Sequence, residues 1–135
     1  MTSLKNILLV HKKSTLELMQ QGENGEQAYL ETFPKRKAEL VRADEANTNT
    51  LNYIRSYLKE NNISFSECYR AKLCTDVLDK ISLIITVGGD GTLLDVAKYI
   101  TDIPILGVNS DPVKSTGFFC HATKETFATI FEDLD

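Results

Sequence analysis

Between Ser82 and Asp95 an almost unbroken apolar run stops at three glycines clustered around one carboxylate, and no other stretch of the chain restricts the fold so tightly. Ile81 to Val87 is rich in β-branched residues, which predicts a parallel strand covered on both faces. Gly88, Gly89 and Gly91 then remove three Cβ atoms within four residues. The backbone there is expected to turn tightly, to reach positive φ and to let a ligand approach its amides. A helix from Thr92 to Ile100 should come next, with its N-terminus and unpaired amides aimed at the same place, an arrangement that favours an anion such as phosphate. Asp90 is the anomaly. A carboxylate inside an anion site makes sense if it meets a metal ion, a sugar hydroxyl or the proton of a nucleophile. A plain capping turn accounts for the carboxylate, but it does not call for the glycines around it.

The rest of the chain alternates strand and helix patterns. Leu4 to Val10 reads as a compact strand running into His11, Lys12 and Lys13. A short helix is predicted over Thr15 to Gln20, then a mobile polar stretch from Gln21 to Glu26, and Pro34 interrupts the segment after it. Lys37 to Asn61 reads as a long helix with Leu40, Ala43, Leu51, Ile54 and Leu58 on one stripe. Ile63 to Ala71 alternates weakly as a strand, Ile103 to Asn109 is a strong one, and Thr123 is expected to cap a helix that runs to the end of the chain. The fold class is therefore α/β, an open and mostly parallel three-layer sheet whose ligands gather at the carboxyl ends of its strands. Lys12 and Lys13, the Gly88 to Thr92 turn, and Gly107 to Asn109 all fall on that edge. The two lysines there are either point charges for phosphate oxygens or ordinary solvated cations. Lys35, Arg36 and Lys37, beside Glu31 and Glu39, read as a solvated helix entry.

Composition narrows the partners. The chain has 135 residues, 42% of them hydrophobic, enough for one core. A net charge of −4 argues against nucleic acid, which needs a concentrated basic surface. No apolar run approaches the ~20 residues of a membrane span, and the N-terminus lacks the layout of a signal peptide. A cytoplasmic protein with no membrane partner is the expectation. Cys68, Cys74 and Cys120 are odd in number and have no CxxC spacing, so reduced, half-buried thiols are expected rather than disulfides or a zinc site.

The glycine spacing matches neither a Walker A loop nor a dinucleotide fingerprint, for want of a following Lys and of a glycine three residues past Gly91. As GGDGT, residues Gly88 to Thr92 resemble instead the signature of NAD kinases, of diacylglycerol-type lipid kinases and, with Ser for Thr, of 6-phosphofructokinases. The strand Pro104 to Asn109, PILGVN, and the later Thr116, Gly117 and Phe118 resemble the elements that come after this loop in NAD kinases. Gly117 and Phe118 fit the end of that family's GHxGF element, while Lys114 and Ser115 stand where its first Gly and its His would be. The insert Ser110 to Lys114 is similar to the longer loop of the plant-type and mitochondrial NADH kinase branches.

The resemblance implies a Rossmann-like or phosphofructokinase-like domain over residues 1–135 and phosphorylation of the 2′-hydroxyl of NAD or NADH by ATP or another phosphoryl donor. It also implies a divalent metal, with magnesium expected, and a homo-oligomer. Gly88, Gly89, Gly91 and Thr92 would receive the donor phosphates, Asp90 would hold the acceptor hydroxyl, and Asn109, Gly117 and Phe118 would meet NAD, the ring of Phe118 against adenine. A carboxylate is too weak a base to ionise a ribose hydroxyl outright, so Asp90 would orient it and take its proton late. NAD kinases carry a second, mainly β domain that completes the acceptor site, so these 135 residues are expected to be inactive alone. Two alternatives stay open. One is a lipid kinase of the diacylglycerol or sphingosine type, although Val96 alone fits its Asn-Glu-Val continuation. The other is a non-catalytic nucleotide-binding or dimerising module.

Overall fold

A computed structural model describes residues 4–20, 22, 24–70, 78, 80–100 and 102–134. Five parallel strands form one sheet in the order β2-β1-β3-β4-β5, with β1 at Ile7–His11, β2 at Phe65–Tyr69, β3 at Leu83–Gly88, β4 at Ile105–Asn109 and β5 at Ala122–Thr123. The helices are α1 (Thr15–Gln20), α2 (Asn24–Thr32), α3 (Pro34–Glu60), α4 (Asp90–Tyr99) and α5 (Phe127–Asp133). The expected three-layer α/β sheet is what forms.

Alternation explains the layers. Every residue of β1 and β3 is buried. Ile7, Leu9, Leu83, Ile85 and Val87 pack on one face with Leu51, Ile54 and Leu58 of α3 and with Phe127 and Phe131 of α5. Leu8, Val10 and Ile84 pack on the other with Val96 of α4 and Ile100. Two covered faces leave no polar side to alternate with, and each such side chain contributes about 1.5–3 kcal/mol by leaving water. At β2, an edge strand with one neighbour, exposed residues return.

α3 has 27 residues and spans about 40 Å at ~1.5 Å per residue, more than twice the ~17 Å of a five-residue strand. Its N-terminal half therefore overhangs the sheet and gathers its own small core, in which Leu16 of α1 and Leu30 of α2 meet Leu40. Between Leu40 and Leu51 the buried residues are the polar Asn47 and Thr50, and Ala43 is only half-buried. Ser14 caps α1, its hydroxyl accepting the Glu17 amide at 3.1 Å and donating to Asp44 at 2.6 Å.

Several boundaries differ from expectation. Pro34 opens α3 at its first turn, where the missing amide hydrogen costs nothing, instead of interrupting the chain. α2 occupies part of the stretch read as polar and mobile, whose residues 21 and 23 lie outside the described residues. His11 is the last, buried residue of β1 rather than part of the following loop. Thr123 ends β5, and α5 starts after Thr126, whose hydroxyl accepts the Thr123 amide at 2.9 Å. Cys68 and Cys120 are free and half-buried, whereas Cys74 and Ala71, the end of the expected second strand, lie outside the described residues. No described helix is long and apolar enough to cross a membrane.

Candidate active site

The chain leaves β1 for β2 on one side and then builds β3, β4 and β5 on the other, so the strand order reverses between β1 and β3. Ligands of such sheets bind in the crevice at that reversal, outside the carboxyl ends of the strands. His11 of β1 pairs with Val87 of β3, and Gly88 pairs with Asn109 of β4, so the candidate elements end side by side. Lys12 comes directly after.

The glycines of the turn do different things. Gly88 has φ +156°, and a Cβ on it would lie 2.6 Å from Thr92 Oγ1 and 3.3 Å from the Lys12 stem. Neither Gly89 nor Gly91 takes positive φ, contrary to the expectation for the whole cluster. Gly89 is the residue before α4, with φ −110° and ψ −165°, and added side-chain atoms on it or Gly91 would make only ordinary contacts, with Ser115 Oγ at 3.7 Å and Arg70 Nη1 at 3.4 Å. The close packing at Gly88 buries Thr92 to 1% exposure and leaves its hydroxyl without a hydrogen-bond partner among the described residues.

Asp90 begins α4, two residues earlier than the predicted start at Thr92. Its carboxylate reaches across to the loop between β4 and β5, where the Phe118 and Phe119 amides donate to its two oxygens at 2.8 and 2.9 Å. Cys120 sits against it as well, and burial, with the carboxylate adding, pushes the thiol up to about 11. A thiol so held stays protonated near neutrality and is no nucleophile. The Phe118 ring is 79% exposed and stands edge-on to Phe119 at 5.2 Å between centroids. An ordinary core aromatic is thereby excluded at this position.

Asn109 shapes the same loop from beneath. Its Oδ1 accepts the Asp111 amide at 3.1 Å, and its Nδ2 donates to the Ser115 carbonyl at 3.0 Å. Gly117, with φ +57°, lies so close that a Cβ would fall 2.2 Å from Nδ2. From α3, Arg42 donates to both carboxylate oxygens of Asp111 at 3.0 and 2.9 Å, and the Thr50 hydroxyl reaches the Ser110 carbonyl at 3.4 Å.

The structure thus brings together Gly88, Gly89, Asp90, Gly91, Thr92, Lys12, Asn109, Gly117 and Phe118. Lys13 points elsewhere, its Nζ 5.0 Å from the centre of the Tyr69 ring. Tyr69 also packs on His11, whose Nε2 lies 3.3 Å from Glu67, and Glu67 is bound in turn by Arg55 at 2.7 Å. Burial lowers the His11 pKa, Glu67 opposes that and Arg55 reinforces it, so the imidazole leans to its neutral form. Sequence reasoning missed Arg70, the residue after β2, which lies over Gly91 and donates through Nε to Asp95 of α4. Only the pairing of distant strands reveals it.

These features define a doubly wound α/β domain with a glycine turn and a carboxylate at the switch point. A family model described as the ATP-NAD kinase N-terminal domain matches residues 5–135, and the chain belongs to that family. It is 33% identical to a protein named NADH kinase from Arabidopsis thaliana over 64% of this chain and 32% of the relative. It is 28% identical to human "NAD kinase 2, mitochondrial" over 64% of this chain and 20% of the relative, and 38% identical to an NAD kinase of Thermomicrobium roseum over 43% and 19%. The chain spans about a third or less of the length of these relatives.

Proposed function

We propose that the protein transfers the γ-phosphoryl group of ATP to the 2′-hydroxyl of the adenosine ribose of NAD or NADH, giving ADP and NADP or NADPH. The observation that carries this reading is the pair of hydrogen bonds that the Phe118 and Phe119 amides donate to the Asp90 carboxylate. It joins the carboxylate at the α4 N-terminus to an exposed aromatic face, which supports a phosphate cradle and a base platform sharing one site. Lipid kinases need no such platform, and the family match favours the nucleotide acceptor.

In the proposed reaction the ribose oxygen attacks the γ-phosphorus in line, the bond to the β-phosphate oxygen breaks, and ADP leaves. Such transfers depend on positioning and charge neutralisation. The amides of Gly89, Asp90 and Gly91, with the positive end of the α4 dipole, would hold the donor's phosphate oxygens. Asp90, fixed by its two amide donors, keeps lone pairs on both oxygens to orient the acceptor hydroxyl and take its proton as the transition state forms. Phe118 would stack on adenine, with Asn109 and Gly117 setting its height. Among the described residues no three His, Cys, Asp or Glu side chains cluster to hold a metal ion, so a resident metal cage does not fit. Magnesium binds chiefly through phosphates and water, and in this reading it arrives as part of the donor substrate.

The acceptor site is proposed to be completed by a second domain of the family's kind or by another copy of the chain in a homo-oligomer. The exposed Val113, Phe118 and Phe119 on the loop beyond β4 support a docking of that sort. Substrates such as NAD and ATP put the protein inside the cell, in the cytoplasm or, as the name of the human relative suggests for that branch, in mitochondria. The test is to titrate the purified chain with ATP and with NAD and to assay NADP formation beside diacylglycerol phosphorylation. Binding of both nucleotides supports the reading, with turnover awaiting the completed acceptor site; lipid phosphorylation, or failure to bind either nucleotide, overturns it.

A further inference from the structure

We infer that Arg70 is a phosphate clamp for the nucleotide donor, acting together with Lys12 at the glycine turn. The inference rests on the proposed donor site and adds the residues that neutralise it. Arg70 is the residue after β2, and β2 lies beside β1 in parallel register, with Tyr69 opposite His11. That register carries the guanidinium over the first turn of α4, where Nη1 and Nη2 lie 3.4 and 4.0 Å from the place a Cβ would occupy on Gly91. Asp95, one turn further along α4, takes the Nε hydrogen. Orientation by Nε leaves both Nη groups with no acceptor among the described residues, on a side chain that is 40% exposed.

Lys12, the residue after β1, flanks the start of the turn, its stem against Gly88. The stretch that the two cations flank, Gly88 to Gly91, leads into the N-terminus of α4, a ten-residue helix with no side-chain cap. A second observation points to a ligand at the same place. Thr92 Oγ1 is buried and unpartnered, and it faces the Gly88 backbone at the base of the turn. An orphaned hydroxyl costs about 1–3 kcal/mol unless something accepts from it or donates to it. One lysine, one arginine fork and a helix N-terminus form a set that matches a polyphosphate chain: the fork grips two oxygens at once, and the lysine meets another as a point charge. A dinucleotide held by its base and ribose has less use for such a set than a triphosphate. Gly91 contributes by leaving the space over which the guanidinium lies.

An Arg70 that merely fastens β2 to α4 through Asp95 would affect stability and not discriminate between ligands. The test is therefore calorimetric binding of ATP, inorganic tripolyphosphate and adenosine to the whole 135-residue chain and its variants, with thermal melts to check folding. Arg70→Gln is expected to weaken ATP and tripolyphosphate about tenfold or more, to leave adenosine unchanged, and to flatten the salt dependence of ATP binding. Arg70→Lys keeps charge without the fork and should fall between, which also serves if the Gln variant folds poorly. Unaltered ATP affinity in both variants, equal losses for ATP and adenosine, or no ATP and tripolyphosphate binding by the wild-type chain would each overturn the clamp. ATP binding that depends on Arg70 without any NAD binding would instead sustain the clamp and remove the NAD reading.

Discussion

Gly88 and Gly117 both take backbone angles that side chains avoid, φ +156° and +57°, yet the walls they belong to are held by different physics. Gly88 ends a strand buried on both faces, and what crowds it is Thr92 of the next helix and the stem of Lys12. Gly117 lies in a loop whose neighbours are tied by side chains: Asn109 to Asp111 and Ser115, Arg42 to Asp111, Asp90 to the two following amides. One wall is part of the core. The other is attached to it by hydrogen bonds, and it can be loosened without unfolding the sheet. A site made this way has one rigid wall and one adjustable wall.

The largest expected effect comes from putting a methyl group into the rigid wall. Gly88→Ala places a carbon 2.6 Å from a buried hydroxyl and on a φ that alanine resists. Strain and overpacking together should cost about 3 kcal/mol or more. Urea unfolding is the measurement, and a stability within experimental error of wild type would show that the turn yields far more than its burial suggests.

Asp90→Asn attacks the junction of the two walls. An amide keeps one acceptor oxygen but offers an NH₂ where the second amide expects an acceptor, so either Phe118 or Phe119 loses its bond. Hydrogen exchange at those two amides should speed up while β1 and β3 stay protected. If the protein makes NADP as proposed, the loss of a proton acceptor should reduce kcat by on the order of 10²-fold or more, with nucleotide affinities changed much less. Near-normal turnover would reduce Asp90 to a loop anchor.

The same division separates what was legible in the sequence from what was not. The β3-turn-α4 unit could be read because an apolar strand, glycines and a helix start are all local, and the strands around it are long apolar runs. α2 was hidden, since its helical pattern is mostly polar and Leu30 alone is buried among its described side chains. β5, two residues long, exists by pairing with β4 and has no pattern of its own. Which glycine carries the positive φ was not readable either, because it depends on Thr92 and Lys12 closing on Gly88 and on nothing near Gly91 except the far end of an arginine. The ties that shape the second wall and the mouth of the turn, Arg42 to Asp111 and Arg70 to Asp95, link residues 69 and 25 positions apart. Spacing along the chain is silent about such contacts.

A smaller effect is expected from pH at the far end of the same edge. His11 has its pKa lowered from 6.5, chiefly by burial, so the unfolded chain binds a proton more readily than the folded one. Its contribution to stability is complete above 6.5, declines as the pH falls from there, and is exhausted once the pH is below the lowered value. Unfolding free energies measured through that window should fall with acidity, and His11→Gln should flatten the slope. A wild-type profile that rises as the pH falls would mean that Glu67 outweighs burial.

The smallest expected effect on the fold is at Gly91, and its smallness is the sharpest check on the contrast between the glycines. The residue is helical, it takes no positive φ, and a methyl group there would rest at ordinary contact distance from Arg70 Nη1, 3.4 Å away. Alanine is the better helix former, by up to about 1 kcal/mol in a helix interior and by less in a first turn. Gly91→Ala should therefore leave urea stability unchanged or slightly raised. Its cost, if the phosphate reading is right, falls on ligand: the methyl group occupies the space between the guanidinium and the α4 amides, and ATP affinity should drop several-fold while adenosine affinity holds. A destabilised fold would mean that the turn needs a glycine at Gly91 as it does at Gly88. Unchanged stability together with unchanged ATP binding would move the phosphates away from this part of the turn and leave Gly88, Lys12 and Thr92 as the whole of the cradle.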